Sequence, residues 1–307
     1  MNESKILIES VSHDYGNGKK ALQNINLEIG GGLFGLLGAN GAGKSTLMRI
    51  MCTLLEPTEG QVSVGGLDVI KDRQKIRRLF GYLPQEFGAW QRRSVAESLD
   101  SLAALSGIDN KAQRRRRVEK MLEAVGLEEV KDRKVKALSG GMLRRLGVAQ
   151  ALIHEPQIIV MDEPTVGLDP EERLRFRKLI ADLSVDKTII LSTHIVADLG
   201  ASCNSIAMIH EGEVMFHGEP SALISMAEGQ VLELELSLPQ LQALEQREDV
   251  EVIARSQQQG VHKIRAVVKP SSNIEGAALA SNITLEEAHI AFSMAMGHTN
   301  SLTGLEH

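Results

Sequence analysis

Apolar positions along the chain follow three patterns, and each predicts a different element. The first is alternation. Ile6-Leu7-Ile8 and Ile25-Asn26-Leu27-Glu28-Ile29 read as strands of an antiparallel pair within residues 5–30, with turn chemistry at Gly16-Asn17-Gly18 between them. The second is the short unbroken run. Leu33-Phe34-Gly35-Leu36-Leu37, Ile158-Ile159-Val160-Met161 and Thr188-Ile189-Ile190-Leu191 have the character of parallel strands buried on both faces. Each ends in polar residues, where a parallel sheet exposes its carboxyl edge and open α/β sheets hold ligands. The third is helical composition over residues of about 92–155. That stretch contains Arg114-Arg115-Arg116-Arg117, which reads as a solvated helix face balanced by Glu119 and Glu123 in preference to a nucleic-acid contact. A hairpin over residues 206–216, turning at Glu211-Gly212, closes this first region near residue 222.

The tail has its own signature. Val231-Leu232-Glu233-Leu234-Glu235-Leu236 alternates strictly, so its leucines face one side and its glutamates the other. A short helix from Pro239, strands over residues 250–254 and 264–268, and a final helix follow. That last helix opens with a capping box, Thr284 with Glu287 three residues on. The β-α-β-β-α order predicts a small α+β domain, residues 223–307, built as a split βαβ unit. It carries no catalytic pattern and is expected to regulate or to stabilise a dimer. Residues 1–222 are expected to form the larger domain.

Composition narrows the class. The chain has 307 residues, enough for one large domain and a small one. Its net charge of −6 argues against a protein that coats nucleic acid. Cys52 and Cys203 stand far apart, which gives neither a disulfide framework nor a zinc site and fits a reducing compartment. No apolar run approaches about 18 residues, and Met1-Asn2-Glu3-Ser4-Lys5 has no signal-peptide character, so a cytoplasmic location is expected.

The candidate chemistry begins where the first buried run ends. Gly38-Ala39-Asn40-Gly41-Ala42-Gly43-Lys44-Ser45 has four residues between the first glycine and Gly-Lys-Ser, the pattern of a phosphate-binding loop. Glycines let successive N–H groups point inward at phosphate oxygens, and the helix opening near Lys44 adds its positive end. Lys44 is placed to reach the β- and γ-phosphates, and the Ser45 hydroxyl to bind Mg²⁺. The second run ends in Asp162-Glu163. A carboxylate at a strand's carboxyl end can hold the magnesium's water shell opposite Ser45, and Glu163 is the candidate base for an attacking water. Its bland reading is a surface acid capping the turn at Pro164.

Leu138-Ser139-Gly140-Gly141-Met142 resembles the signature motif of the ABC ATPases, usually Leu-Ser-Gly-Gly-Gln. With the loop before it and residues 158–163 after it, residues of about 4–222 resemble a whole ABC nucleotide-binding domain. The fold this implies is α/β: a P-loop NTPase core with an antiparallel β subdomain and a helical signature subdomain. The resemblance implies ATP and Mg²⁺ as ligands, with Gly38, Asn40, Gly41, Ala42, Gly43, Lys44, Ser45 and Thr46 around the phosphates. It also implies that Tyr15 stacks on adenine. By the same resemblance Gln85, in Gly81-Tyr82-Leu83-Pro84-Gln85, contacts magnesium and water and couples to membrane subunits. His194, after Leu191-Ser192-Thr193, matches the switch histidine that contacts the γ-phosphate, and Asp169 the loop that crosses between two ATP sites. The remaining histidines show no ligand spacing.

A loop that cradles phosphates from one side leaves the far face of the γ-phosphate open, and the helix N-terminus at Ser139, Gly140 and Gly141 can cover such a face. The resemblance implies that this helix comes from a second ATP-binding subunit, a copy or close relative, so that two chains enclose two nucleotides under a two-fold axis. It implies an integral-membrane permease as the other partner and no nucleic acid. Met142 departs from the family glutamine. The Met142 signature, Asp162-Glu163-Pro164-Thr165-Val166-Gly167-Leu168-Asp169-Pro170 and the tail pattern at Leu285 resemble the bacterial branch that exports drugs, polysaccharides or lipids. The stretch Trp90-Gln91-Arg92-Arg93-Ser94 is more basic than the family's usual version and lies where a permease docks. Two other readings compete with a transporter subunit. One is a soluble ABC ATPase acting on ribosomes or DNA, against which stand the single cassette and the lack of Cys clusters or long heptads. The other is a regulatory module without hydrolysis, against which stand Lys44, Asp162, Glu163 and His194 together.

Overall fold

The fold is described from a computed structural model covering residues 5–297 except 17, 19, 87, 89, 200–202, 259, 260, 273 and 275. The described residues divide into two compact units between His217 and Gly218. The first unit begins β1 (Ile6–Asp14), β2 (Lys20–Ile29), β3 (Leu33–Leu37), α1 (Lys44–Met51), β4 (Glu59–Val64), β5 (Leu67–Asp68), α2 (Arg73–Leu79) and β6 (Phe80–Leu83). It continues α3 (Val95–Leu105), α4 (Lys111–Val125), α5 (Gly140–Leu152), β7 (Ile158–Asp162), α6 (Pro170–Ser184), β8 (Thr188–Thr193), β9 (Cys203–His210) and β10 (Glu213–Gly218).

Two sheets organise this unit. An antiparallel sheet has the order β2-β1-β4-β5, and the core sheet has the order β10-β9-β3-β8-β7-β6. β9, β3, β8, β7 and β6 run parallel. Every residue of β3, β7 and β8 is buried, which is why their sequences are unbroken apolar runs. Phe34 and Leu36 of β3 share one core cluster with Leu47, Met48 and Ile50 of α1 and with Val160 and Ile190. Parallel register brings the carboxyl ends of β3, β7 and β8 level, with Leu37 beside Thr193 and Asp162 beside Ser192. The chain therefore delivers the phosphate loop, Asp162-Glu163 and His194 to one edge.

Three sequence expectations need correction. The parallel set has two strands beyond the three apolar runs, β9 and β6; β6 pairs with β7, and its four residues around Gly81 are too short to stand out as an apolar run. Of the two acids expected to balance the arginine run, Glu119 does so, meeting Arg115 at 3.0 Å, while Arg114 meets Asp100 at 2.9 Å and Arg117 meets Glu155 at 2.8 Å in place of Glu123. The expected domain limit at residue 222 cuts through a helix, α7 (Pro220–Met226), that belongs to the second unit. The turn proposed at Gly16-Asn17-Gly18 includes Asn17, which lies outside the described residues, as do His298 and His307. Among the described residues no helix is long and apolar enough to cross a membrane.

The second unit adds β11 (Val231–Leu236), α8 (Leu238–Glu245), β12 (Val250–Gln258), β13 (Val261–Val268), β14 (Ala278–Leu279) and α9 (Leu285–Ala295). Its sheet order is β12-β13-β11-β14, and β13 is antiparallel to both β11 and β12. β11 and β12 are therefore parallel with β13 between them, the split βαβ arrangement. Leu232 and Leu234 pack with Leu241 and Leu244 of α8 on one face, and Glu233 and Glu235 face the other way. The capping box forms at α9: Glu287 N–H donates to Thr284 Oγ1 at 3.2 Å, and Thr284 N–H to Glu287 Oε2 at 2.7 Å. α7 and the short strand β14 have no counterpart in the expected order.

α9 packs against α7 and β13 and buries His289. Burial pulls the imidazole pKa from 6.5 down to about 4. Because the folded value lies below the unfolded one, this contribution is complete above pH 6.5. It is lost as pH falls through the window between 6.5 and about 4, where the unfolded chain binds the extra proton. The second unit is predicted to lose about 3 kcal/mol across that window. Denaturant melts at pH 7 and pH 4 should show a smaller pH dependence for His289→Leu than for the parent.

Candidate active site

Lys44 is the first helical residue of α1 and is 4 % exposed. Its N-cap, Gly43, has φ +111°, and a Cβ there would lie 2.5 Å from the Ala21 carbonyl oxygen, so only glycine fits between the loop and β2. The Lys44 ammonium donates to the carbonyls of Gly38 at 2.6 Å and Ala39 at 3.1 Å. It also lies 3.2 Å from Glu163 Oε1.

Glu163 is 3 % exposed, which overturns its reading as a surface cap. Its backbone occupies the left-handed region at φ +47°, a conformation costing a non-glycine residue about 1–2 kcal/mol. That conformation is held because its N–H donates to Ser192 Oγ at 3.0 Å and is also within 3.2 Å of the Ser192 carbonyl. The Ser192 hydroxyl donates onward to Asp162 Oδ1 at 2.5 Å, so one serine braces both acids. Glu163 Oε2 meets His194 Nδ1 at 2.8 Å. Glu163 Oε1 has no partner in hydrogen-bonding geometry, so its contact with Lys44 is one of charge.

These groups border a cavity of about 350 Å³ lined by Tyr15, Asn40, Gly41, Gly43, Lys44, Ser45, Thr46, Gln85 and Glu163, with Ala21 and Ala39. The structure thus gathers most of the expected site residues around one opening. Tyr15 is half exposed, with its hydroxyl 3.1 Å from Thr46 Oγ1. Asp162 lies buried behind the wall, and His194 reaches the site through Glu163. One carboxylate and one hydroxyl make a donor set suited to a hard cation that keeps most of its waters, so Asp162 and Ser45 fit magnesium.

Ser139, Gly140, Gly141 and Asp169 do not line this cavity. Ser139 caps α5, its Oγ accepting from Met142 N–H at 3.2 Å, and Asp169 caps α6, accepting from Glu172 N–H at 2.8 Å. The two caps are neighbours. A Cβ on Gly141 would lie 2.5 Å from Glu172 Oε2, and Glu172 lies 3.4 Å from Arg145 of α5. Met142 sulfur sits 3.9 Å from Arg133, where the family glutamine would offer an amide.

Three features carried no sequence signal. Ser192 sits inside a buried strand, where a serine reads as an interruption. His13, passed over as unremarkable, is 7 % exposed and packs edge-on against the Tyr15 ring at 4.6 Å. Asp198 sits buried in a three-residue turn after β8, where an aspartate reads as surface.

A family model described as "ABC transporter" matches residues 22–166. The chain is 38 % identical over 207 residues to the ABC transporter ATP-binding protein NatA of Bacillus subtilis, covering 66 % of this chain and 84 % of that one. It is 40 % identical to a Nod factor export ATP-binding protein I of Cupriavidus metallidurans, over 66 % of this chain and 67 % of the relative. It is 38 % identical to the methionine import ATP-binding protein MetN 2 of Burkholderia mallei, over 64 % of this chain and 52 % of the relative. Among solved structures, the ATP-binding cassette MJ0796, dimeric in a post-hydrolysis state with ADP and Pi, matches with a TM-score of 0.64 at 29 % identity. The match covers 70 % of this chain and 98 % of that one. This chain belongs to the ABC transporter ATP-binding proteins: it is an ATP-binding subunit of the ABC ATPase family.

Tyr15 offers a direct test of the cavity. Tyr15→Ala should weaken ATP binding about fivefold by removing a stacking surface of about 1 kcal/mol, and Tyr15→Phe should bind like the parent. Titration calorimetry or a fluorescent nucleotide would measure both. Equal losses in the two variants would assign the effect to the Thr46 hydrogen bond instead.

Proposed function

We propose that two copies of this chain enclose two MgATP molecules and that hydrolysis drives a separate membrane permease, most readily an exporter, from the cytoplasmic face. One observation carries the reading: Lys44 and Glu163 line the phosphate cavity, with His194 held against Glu163, while the Ser139 helix terminus and Asp169 do not line it. Each chain then holds two complementary half-sites, and a second ATP-binding subunit, this chain or a close relative, completes each one.

In this reading the loop residues Gly38, Asn40, Gly41, Ala42 and Gly43, with Ser45 and Thr46, hold the triphosphate, and Lys44 leaves its own carbonyls for the β- and γ-phosphates. Ser45, Gln85 and Asp162 would hold magnesium, which would supply charge neutralisation on the phosphate oxygens. Glu163 Oε1 accepts a proton from the attacking water. His194 orients Glu163 through the 2.8 Å contact and faces the γ-phosphate. Ser139, Gly140 and Gly141 of the opposite copy cover the phosphate's far side, with Asp169 crossing between the sites, and Gln85 reports the chemistry to the permease. The export direction is supported by Met142 and the tail pattern, and by the likeness to a Nod factor exporter, although an importer subunit is as similar in sequence. The second unit is assigned a regulatory or dimer-stabilising role because its polar groups form cross-strand pairs, such as Lys263 with Glu235, in place of a reactive cluster.

Glu163→Gln should keep ATP affinity within about twofold and abolish turnover, because the amide is nearly isosteric and cannot accept the proton. With ATP this variant should elute as a dimer, whereas Lys44→Ala stays monomeric. Adding Ser139→Arg should undo the dimer by blocking the closing helix terminus. Turnover by Glu163→Gln at the parental rate would assign the base to another residue.

A chain ended at His217 should still bind ATP with parental affinity, since every cavity residue lies before that point. A soluble, folded truncation with no nucleotide affinity would contradict this division of labour.

A further inference from the structure

Three segments carry the site's acids and histidine, and they meet on the carboxylate of Asp198, four residues after His194. Asp198 ends a single 3-10 turn after β8, and its side chain is fully buried. Its Oδ2 accepts from Thr165 Oγ1 at 2.5 Å and lies 3.4 Å from Thr193 Oγ1. The Thr193 hydroxyl has a competing acceptor in the Ile195 carbonyl at 3.3 Å, so the Thr165 bond is the principal one. Asp198 Oδ1 has no hydrogen-bond partner and faces Arg173 Nε at 3.8 Å, itself without one. A buried carboxylate persists only when it is paired and hydrogen-bonded, so these three partners are held together by the cost of parting them.

The partners lie beside the reacting groups in sequence. Thr165 follows Glu163 by two residues, Thr193 directly precedes His194, and Arg173 N–H donates to the Asp169 carbonyl at 2.9 Å in the first turn of α6. Glu163 sits in a left-handed conformation that its surroundings must hold. Ser192 braces it from one side, and the Thr165–Asp198 bond anchors the loop leaving it on the other.

We propose that Asp198 is a positioning residue for ATP hydrolysis. It fixes the loop after Glu163 and the segment before His194 in the arrangement that sets Glu163 Oε2 against His194 Nδ1. This inference rests on the functional reading above and adds a residue that does not line the phosphate cavity. Loosening such an anchor shifts the base without altering the phosphate cradle, so the loss falls on turnover.

The test is steady-state ATPase kinetics of the full chain with Mg²⁺. Asp198→Ala and Thr165→Val should each lower kcat about tenfold or more and leave KM for ATP within about twofold. Thr165→Ser keeps the hydroxyl donor and should turn over near the parental rate. The double variant Asp198→Ala/Thr165→Val should be no slower than Asp198→Ala, because both remove one bond. Parental kcat in Thr165→Val, equal impairment of Thr165→Ser and Thr165→Val, or a matched fall in kcat and ATP affinity would each overturn the proposal. Should Asp198→Ala fail to fold, the Thr165 pair decides the matter. A parental chain with no ATPase activity overturns the functional reading and this inference with it; an active parent with unimpaired variants overturns this inference alone.

Discussion

The site depends on where the Lys44 charge goes. An ammonium has three donors and no acceptor, and at 4 % exposure it cannot rely on water. Two carbonyls of its own loop accept hydrogen bonds from it, and the Glu163 carboxylate beside it balances its charge. This satisfies the lysine and holds the loop curled, but at moderate strength, since neutral carbonyls are weaker acceptors than anionic oxygens. A triphosphate entering the cavity offers the stronger partners.

The same contact ties the loop to the end of β7, two strands over in the sheet. Lys44 follows β3, Glu163 follows β7 and His194 follows β8, and the parallel register sets those strand ends side by side. Burial on both faces prevents any strand from slipping, because a shift of one residue would bring polar ends into the core. The reacting groups thus inherit their spacing from the sheet, while Ser139 and Asp169 stand at the N-termini of α5 and α6. Ser139 and Asp169 are both spent as helix caps, so they stand as rigid edges of those helices.

What the sequence made legible follows the range of the interactions involved. The runs at β3, β7 and β8, the loop at 38–45, the turn at Glu211-Gly212 and the Thr284–Glu287 box depend on neighbours a few residues apart. β6 was hidden because it is four residues long with a glycine inside it. The unit boundary was misplaced because α7 is short, and its Pro220 at the first helical turn reads equally as a linker. Ser192 and Asp198 were invisible for another reason. Their partners are 30 and 33 residues away, and nothing local marks a serine in a strand or an aspartate in a turn as a brace. Glu163 lay between these cases: its place after an apolar run was readable, its burial and left-handed backbone were not.

The central claim is that a second copy completes each site. Cross-linking tests it most directly, because Cys52 and Cys203 are both buried and leave the surface free of competing thiols. Asn40→Cys and Ser139→Cys are introduced into separate copies carrying Glu163→Gln, the copies are mixed, and a mild oxidant is added with and without ATP. The account predicts a covalent dimer joining residue 40 of one copy to residue 139 of the other, formed with ATP and not without it. Mixtures that stay monomeric with ATP bound, or that cross-link equally without it, would contradict a site shared between two copies.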